Sequence, residues 1–125
     1  MPAYEESQSP PAPIAQAMLR SVETGEMVKN IPMLLDTGAD LTLVPRIAVN
    51  QLGVSPISDD ACEVAGFDGN RSVANVVIVD LILFGLAFRG RYLLSDDAIG
   101  IVGRNVLNHV TLEFNGPALE WNISN

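Results

Sequence analysis

Short runs of β-branched and apolar residues, each closed by a turn signal, leave this chain few ways to fold. Asp68-Gly69 is a two-residue hairpin signal with the strand Glu63 to Phe67 before it and a return strand from Arg71 after it. Asn115-Gly116 separates Val110–Phe114 from Ala118–Ile123 in the same way, with Pro117 complicating the register. Ile14–Glu23 contains helix formers, Ala15, Ala17, Met18 and Leu19, yet it runs into Thr24-Gly25-Glu26 and then Met27–Leu34. A strand, turn, strand reading is preferred, with Pro32 at an edge. Val73–Phe88 is too long for one flat strand. Asp80 and Gly85 interrupt it, so two strands or one bent strand are expected. Leu41–Pro45, Arg91–Leu94 and Ile99–Val102 add short strands. Arg46–Leu52, stopped by Gly53, reads as a helix, and Arg104–His109 as a second short one. The expectation is an all-β domain over residues 14–125 with one or two short helices. Residues 1–13, with Ser7, Gln8, Ser9, Pro10, Pro11 and Pro13, read as a flexible tail.

Composition narrows the chemistry. At 125 residues and 48% hydrophobic content the chain suits one domain with a real core. Its net charge of −8 argues against a nucleic-acid surface, which needs a basic stripe, and against binding an anionic membrane. One cysteine, Cys62, excludes an internal disulfide and a thiolate cluster, and one histidine, His109, excludes a multi-histidine metal site. No cofactor and no metal are expected. The start, Met-Pro-Ala-Tyr-Glu-Glu, lacks the apolar core of a signal peptide, and the run Leu81–Phe88 is too short to span a bilayer as a helix. A soluble, cytoplasmic protein is the expectation.

Within this frame the informative segment is Met33-Leu34-Leu35-Asp36-Thr37-Gly38-Ala39-Asp40-Leu41-Thr42-Leu43-Val44-Pro45. An apolar strand delivers a carboxylate, with a small hydroxyl and a glycine directly behind it. By itself Asp-Thr-Gly is a common strand-ending turn. The apolar flanks make the difference, because a carboxylate held away from water must be hydrogen-bonded, paired or neutralised. A second segment, Ala98-Ile99-Gly100-Ile101-Val102-Gly103-Arg104-Asn105-Val106-Leu107, is an apolar strand entering a glycine and a helix start. Between the two lies the tip Gly66-Phe67-Asp68-Gly69.

In this order and at this separation, Leu34–Thr42 and Ile101–Leu107 resemble the retroviral-type aspartic proteases, or retropepsins, including their cellular and bacterial relatives. The resemblance covers roughly residues 20–123. It implies a small closed β-barrel of the retropepsin type, with Asp36 as the catalytic aspartate and Thr37 and Gly38 completing the signature loop. It also implies that Asp40, next to Ala39, pairs with Arg104 of the Gly103-Arg104-Asn105 segment or contacts substrate. The hairpin around Ala65–Arg71, with Gly66, Phe67, Asp68 and Gly69 at its tip, would be the flap over bound peptide. Two departures stand out. The tip has fewer glycines than many retroviral flaps, and the chain ends in what reads as a complete hairpin where retroviral enzymes end in one strand.

An aspartic protease needs two carboxylates side by side that share a proton. With one Asp-Thr-Gly per chain, a symmetric homodimer supplies the pair, and an extended peptide or protein is the expected substrate. Leu43, Val44, Phe67, Ile99 and Ile101 are expected to line an apolar cleft. The competing reading is a non-catalytic retropepsin-like module for dimerisation or peptide binding, in which Asp36 is only a hydrogen-bond acceptor.

Overall fold

The computed structural model describes residues 2–65 and 71–124. Strands β1 (Ile14–Arg20) and β2 (Met27–Leu35) form the hairpin expected around Gly25. Strand wins over helix in the first segment because its burial has period two: Ala15, Ala17 and Leu19 face the core while Gln16 faces solvent. Pro32 sits where its missing N–H does no harm. Leu35 N–H donates to Pro13 O, so the odd residues of β2 face β1, and the Pro32 nitrogen faces the β7 side at the margin of that ladder, whose pairing begins at Met33.

Strand β3 (Leu43–Pro45) turns into helix α1 (Arg46–Leu52), which ends at Gly53 with φ of +78°. Strands β4 (Ile57–Ala65), β5 (Arg71–Leu83) and β6 (Leu86–Ser95) follow, then β7 (Gly100–Val102), helix α2 (Arg104–Leu107) and the closing hairpin of β8 (Thr111–Asn115) and β9 (Glu120–Ser124). The strand order is β1-β2-β7-β3-β6-β5, and β5 pairs back onto β1. The result is a closed, mixed, six-stranded barrel with two short helices, the all-β class expected from sequence. β2 runs parallel to β7, and β3 parallel to β6. β4 extends from the outer edge of β5.

Two sequence expectations are corrected here. β5 does not break at Asp80, and the turn falls at Phe84-Gly85. Asp80 stays in the strand because it lies opposite Arg20 of β1 and Arg89 of β6, which neutralise it from both sides. Arg89 Nε reaches Oδ1 at 2.8 Å and Arg20 Nε reaches Oδ2 at 3.0 Å, over a residue only 1% exposed. The hydrogen bond from Arg89, joined by Arg20, holds the carboxyl below the usual range despite its burial. β4 also begins six residues before the expected Glu63, because its backbone pairing at Ile57–Val76 is carried through a polar run that hides the strand pattern.

The barrel is filled by the inward residues of alternating strands. Leu19, Met33, Val44, Val77, Val79, Leu81 and Val102 are fully buried. Val44 is therefore core, which removes it from the expected cleft lining. Tyr92 is buried as well, and burial, reinforced by the charge on Asp80, pushes its phenol up to about 12.

The N-terminal stretch lies along the closing hairpin. Tyr4 N–H donates to Leu119 O, Trp121 N–H donates to Pro2 O, and Ala3 bridges Glu120. Trp121 packs edge-on against Phe84, with ring centroids 5.7 Å apart, so it braces this hairpin on the barrel.

Candidate active site

Asp36 follows β2 directly, at the point where the parallel β2–β7 ladder runs out. The last pair is Leu35–Val102, and Asp36 N–H extends it with a bond to Val102 O at 3.0 Å. The chain then turns sharply. Ala39 N–H donates to Asp36 O at 3.2 Å, and Gly38 N–H donates to the Asp36 carboxylate Oδ1 at 2.9 Å. Glycine at 38 leaves room for this contact, because a Cβ there would stand 3.1 Å from that same oxygen and the carboxylate would have to give by a few tenths of an ångström. Asp36 is half-buried. Among the described residues no cation pairs with it, in contrast to Asp40 and Asp80.

The loop is gripped from the start of α2. Gly103 precedes the helix, and a Cβ on it would sit 2.6 Å from the carbonyl carbon of Leu41. That close approach lets Arg104 N–H reach Ala39 O at 2.8 Å and Asn105 N–H reach Asp40 O at 3.2 Å. The Arg104 side chain bonds Thr37 O through Nη1 at 2.7 Å and pairs through Nη2 with the Asp40 carboxylate. Thus Asp36, Thr37, Gly38, Ala39 and Asp40 form one turn, and Gly103, Arg104 and Asn105 meet it from the other side.

Two contributors were not singled out in the sequence. Thr42, 1% exposed, accepts from Gly103 N–H at 3.0 Å and donates to Asn105 Oδ1 at 2.7 Å, tying the two segments beneath the loop. Its signal was a hydroxyl inside an apolar run, which needs a partner when buried. Leu34 pairs in register with Ile101, which pairs with Leu43. All three are half-buried, so they form an apolar row on one face of β2, β7 and β3. Ile99, also half-buried, lies just ahead of β7.

Of the expected flap, Ala65 ends β4 and pairs with Arg71 at the start of β5. Gly66, Phe67, Asp68 and Gly69 lie outside the described residues. Among the described residues no three His, Cys, Asp or Glu are grouped to hold a metal ion, and no helix is long and apolar enough to cross a membrane.

No family model and no curated protein matches the chain. Among solved structures it is similar to the EIAV protease complexed with the inhibitor HBY-793. The TM-score is 0.60 and the identity 21%, over 78% of this chain and 86% of that one. At that identity the likeness is one of fold, so the barrel is of the retropepsin type.

Proposed function

We propose that the chain is an aspartic endopeptidase that works as a homodimer, with one Asp36 from each copy. The observation that carries this reading is the Asp36-Thr37-Gly38 turn at the mouth of a parallel strand pair in a retropepsin-type barrel, its residue half-buried and its carboxylate paired with no cation among the described residues. Two carboxylates brought face to face can hold one proton between them, which leaves one as acid and the other as base. In the shared-proton state one Asp36 takes a proton from water as the water attacks the peptide carbon, and the other donates its proton to the peptide oxygen.

Arg104 and Thr42 hold the turn in place, so that the carboxylate needs little rearrangement to act. Leu34, Leu43, Ile99 and Ile101 would contact apolar side chains on either side of the cut bond in an extended substrate. The hairpin from Ala65 to Arg71, carrying Gly66, Phe67, Asp68 and Gly69, would close over it through backbone hydrogen bonds. Support for a second copy comes from the terminal hairpin. The N-terminal stretch covers β9, while β8 has no further strand partner among the described residues and exposes Phe114 at 42%.

The test is cleavage of an unbiased peptide pool scanned across pH, with Asp36→Asn as the control. Cleavage by the wild type and none by the variant is expected, with rate depending on protein concentration. A folded wild type that cleaves nothing would leave the non-catalytic module as the better reading.

A further inference from the structure

The loop between β6 and β7, residues 96–99, brings Ile99 toward the apolar row of Leu34, Ile101 and Leu43. How that loop is held is informative. β3 and β6 run parallel through Leu43–Leu93, Val44–Leu94 and Pro45–Ser95, and then diverge, β3 into α1 and β6 into the loop. The next two side chains across the divergence are Arg46 and Asp96, and they meet, Nε to Oδ1 at 2.9 Å. Asp97 N–H donates to Ser95 Oγ at 3.1 Å, which shapes the turn but ties it to nothing outside itself. Beyond that turn, Ala98 borders an open surface groove of about 180 Å³ shared with Pro32, Pro45, Ile47 and Ala48. Among the described residues the loop is thus anchored at its start by one ion pair and at its end by β7, with a solvent-open groove beside Ala98.

We propose that Arg46 is a positioning residue for the peptide cleft, latching the 96–99 loop through Asp96 so that Ile99 stands beside Ile101 as part of the cleft wall. This rests on the reading of Asp36 as catalytic. With side chains 38% and 87% exposed, the pair contributes little to global stability. Its effect is local, because among the described residues no other side-chain hydrogen bond or ion pair ties residues 96–99 to the barrel.

Two readouts test it on the full chain: hydrogen exchange followed by mass spectrometry, and steady-state cleavage of peptides with a large apolar residue beside the cut. In Arg46→Met and in Asp96→Asn, amides of 96–99 should exchange faster while those of β5 and β6 do not change. KM should rise roughly 2- to 5-fold with kcat unaltered, the range an exposed ion pair can supply and the signature of lost uniform binding. The charge reversal Arg46→Asp with Asp96→Arg should restore both. Unchanged exchange in both single variants overturns the latch, and faster exchange with unchanged KM overturns its role in the cleft. A wild type that cleaves no peptide sinks the catalytic reading itself, and the cleft role falls with it. Activity in the wild type with no response in the variants sinks only this proposal.

Discussion

Asp80 and Asp36 are both carboxylates set among apolar strands, and their surroundings are opposite. Asp80 lies in mid-strand, 1% exposed, and two arginines from neighbouring strands grip both its oxygens. Asp36 lies at a strand end, half-buried, and the one hydrogen-bond partner of its carboxylate among the described residues is the N–H of Gly38. A carboxylate bracketed by guanidinium groups is committed to its charge and serves as a staple across β1, β5 and β6. One held by a single backbone N–H keeps its other oxygen available to a further partner. On the reading proposed above, the difference separates a group that closes the barrel from one that would do chemistry at its mouth.

The sharpest way to break this comparison is to exchange each acid for its amide. Asp36→Asn should lower peptide cleavage by about a thousand-fold or more, as expected for loss of a general acid–base group, while thermal unfolding stays near that of the wild type. Asp80→Asn should do the reverse. Cleavage would persist at temperatures where the protein is folded, but stability should fall by about 2 kcal/mol, the scale of hydrogen bonds to a charged group. A variant pair with these effects interchanged would defeat the assignment of roles.

The Asp80 contribution also has a pH signature. Its folded pKa is depressed, so the stabilisation is present above the unfolded value of 3.8 and is lost as pH falls through the lower folded value. The stability gap between wild type and Asp80→Asn should therefore be constant above about pH 5 and close only in stronger acid. Chemical denaturation followed by the fluorescence of Trp121, the single tryptophan, would measure it.

Beneath the Asp36 turn, Thr42→Val removes the acceptor for Gly103 N–H and should cost about 1–2 kcal/mol, because a buried donor is left unpaired. The same variant should lower cleavage, as the support of the turn loosens. At the exposed end of the same network, Asp40→Asn removes an ion pair whose side chains are 81% and 44% exposed. It should change the unfolding free energy by less than about 1 kcal/mol. An Asp40 effect larger than that of Asp80 would show that exposure is the wrong measure of these pairs.

Much of the barrel was legible because period-two burial and turn residues act locally. Ala15, Ala17 and Leu19 alternate, Gly25 and Gly53 take positive φ, and the ends of α1 fall where Arg46–Leu52 and Gly53 suggest. The Asp36 turn and the Gly103-Arg104-Asn105 segment could be picked out as a pair, although the roles of Thr42 and Leu34 could not. A hydroxyl in an apolar run does not say what it bonds, and a half-buried leucine in a strand does not say which pocket it faces. Val44 was assigned to the cleft from apolarity alone, and the pairing of β3 between β6 and β7 turns it into the core instead. Asp80 was misread as an interruption for a related reason. A charged residue ends a strand unless partners arrive from elsewhere, and Arg20 and Arg89 are 60 and 9 residues away.

What the sequence determined by itself is the local grammar: which segments are strands, where they turn, and that one Asp-Thr-Gly sits between apolar flanks. The tertiary structure decided how those pieces meet. Closing β5 onto β1 buries Asp80 between its arginines, and setting β2 beside β7 brings Arg104 under Thr37 and Asp40. Both depend on contacts between distant residues, and no local pattern encodes the partner of a charge across a barrel.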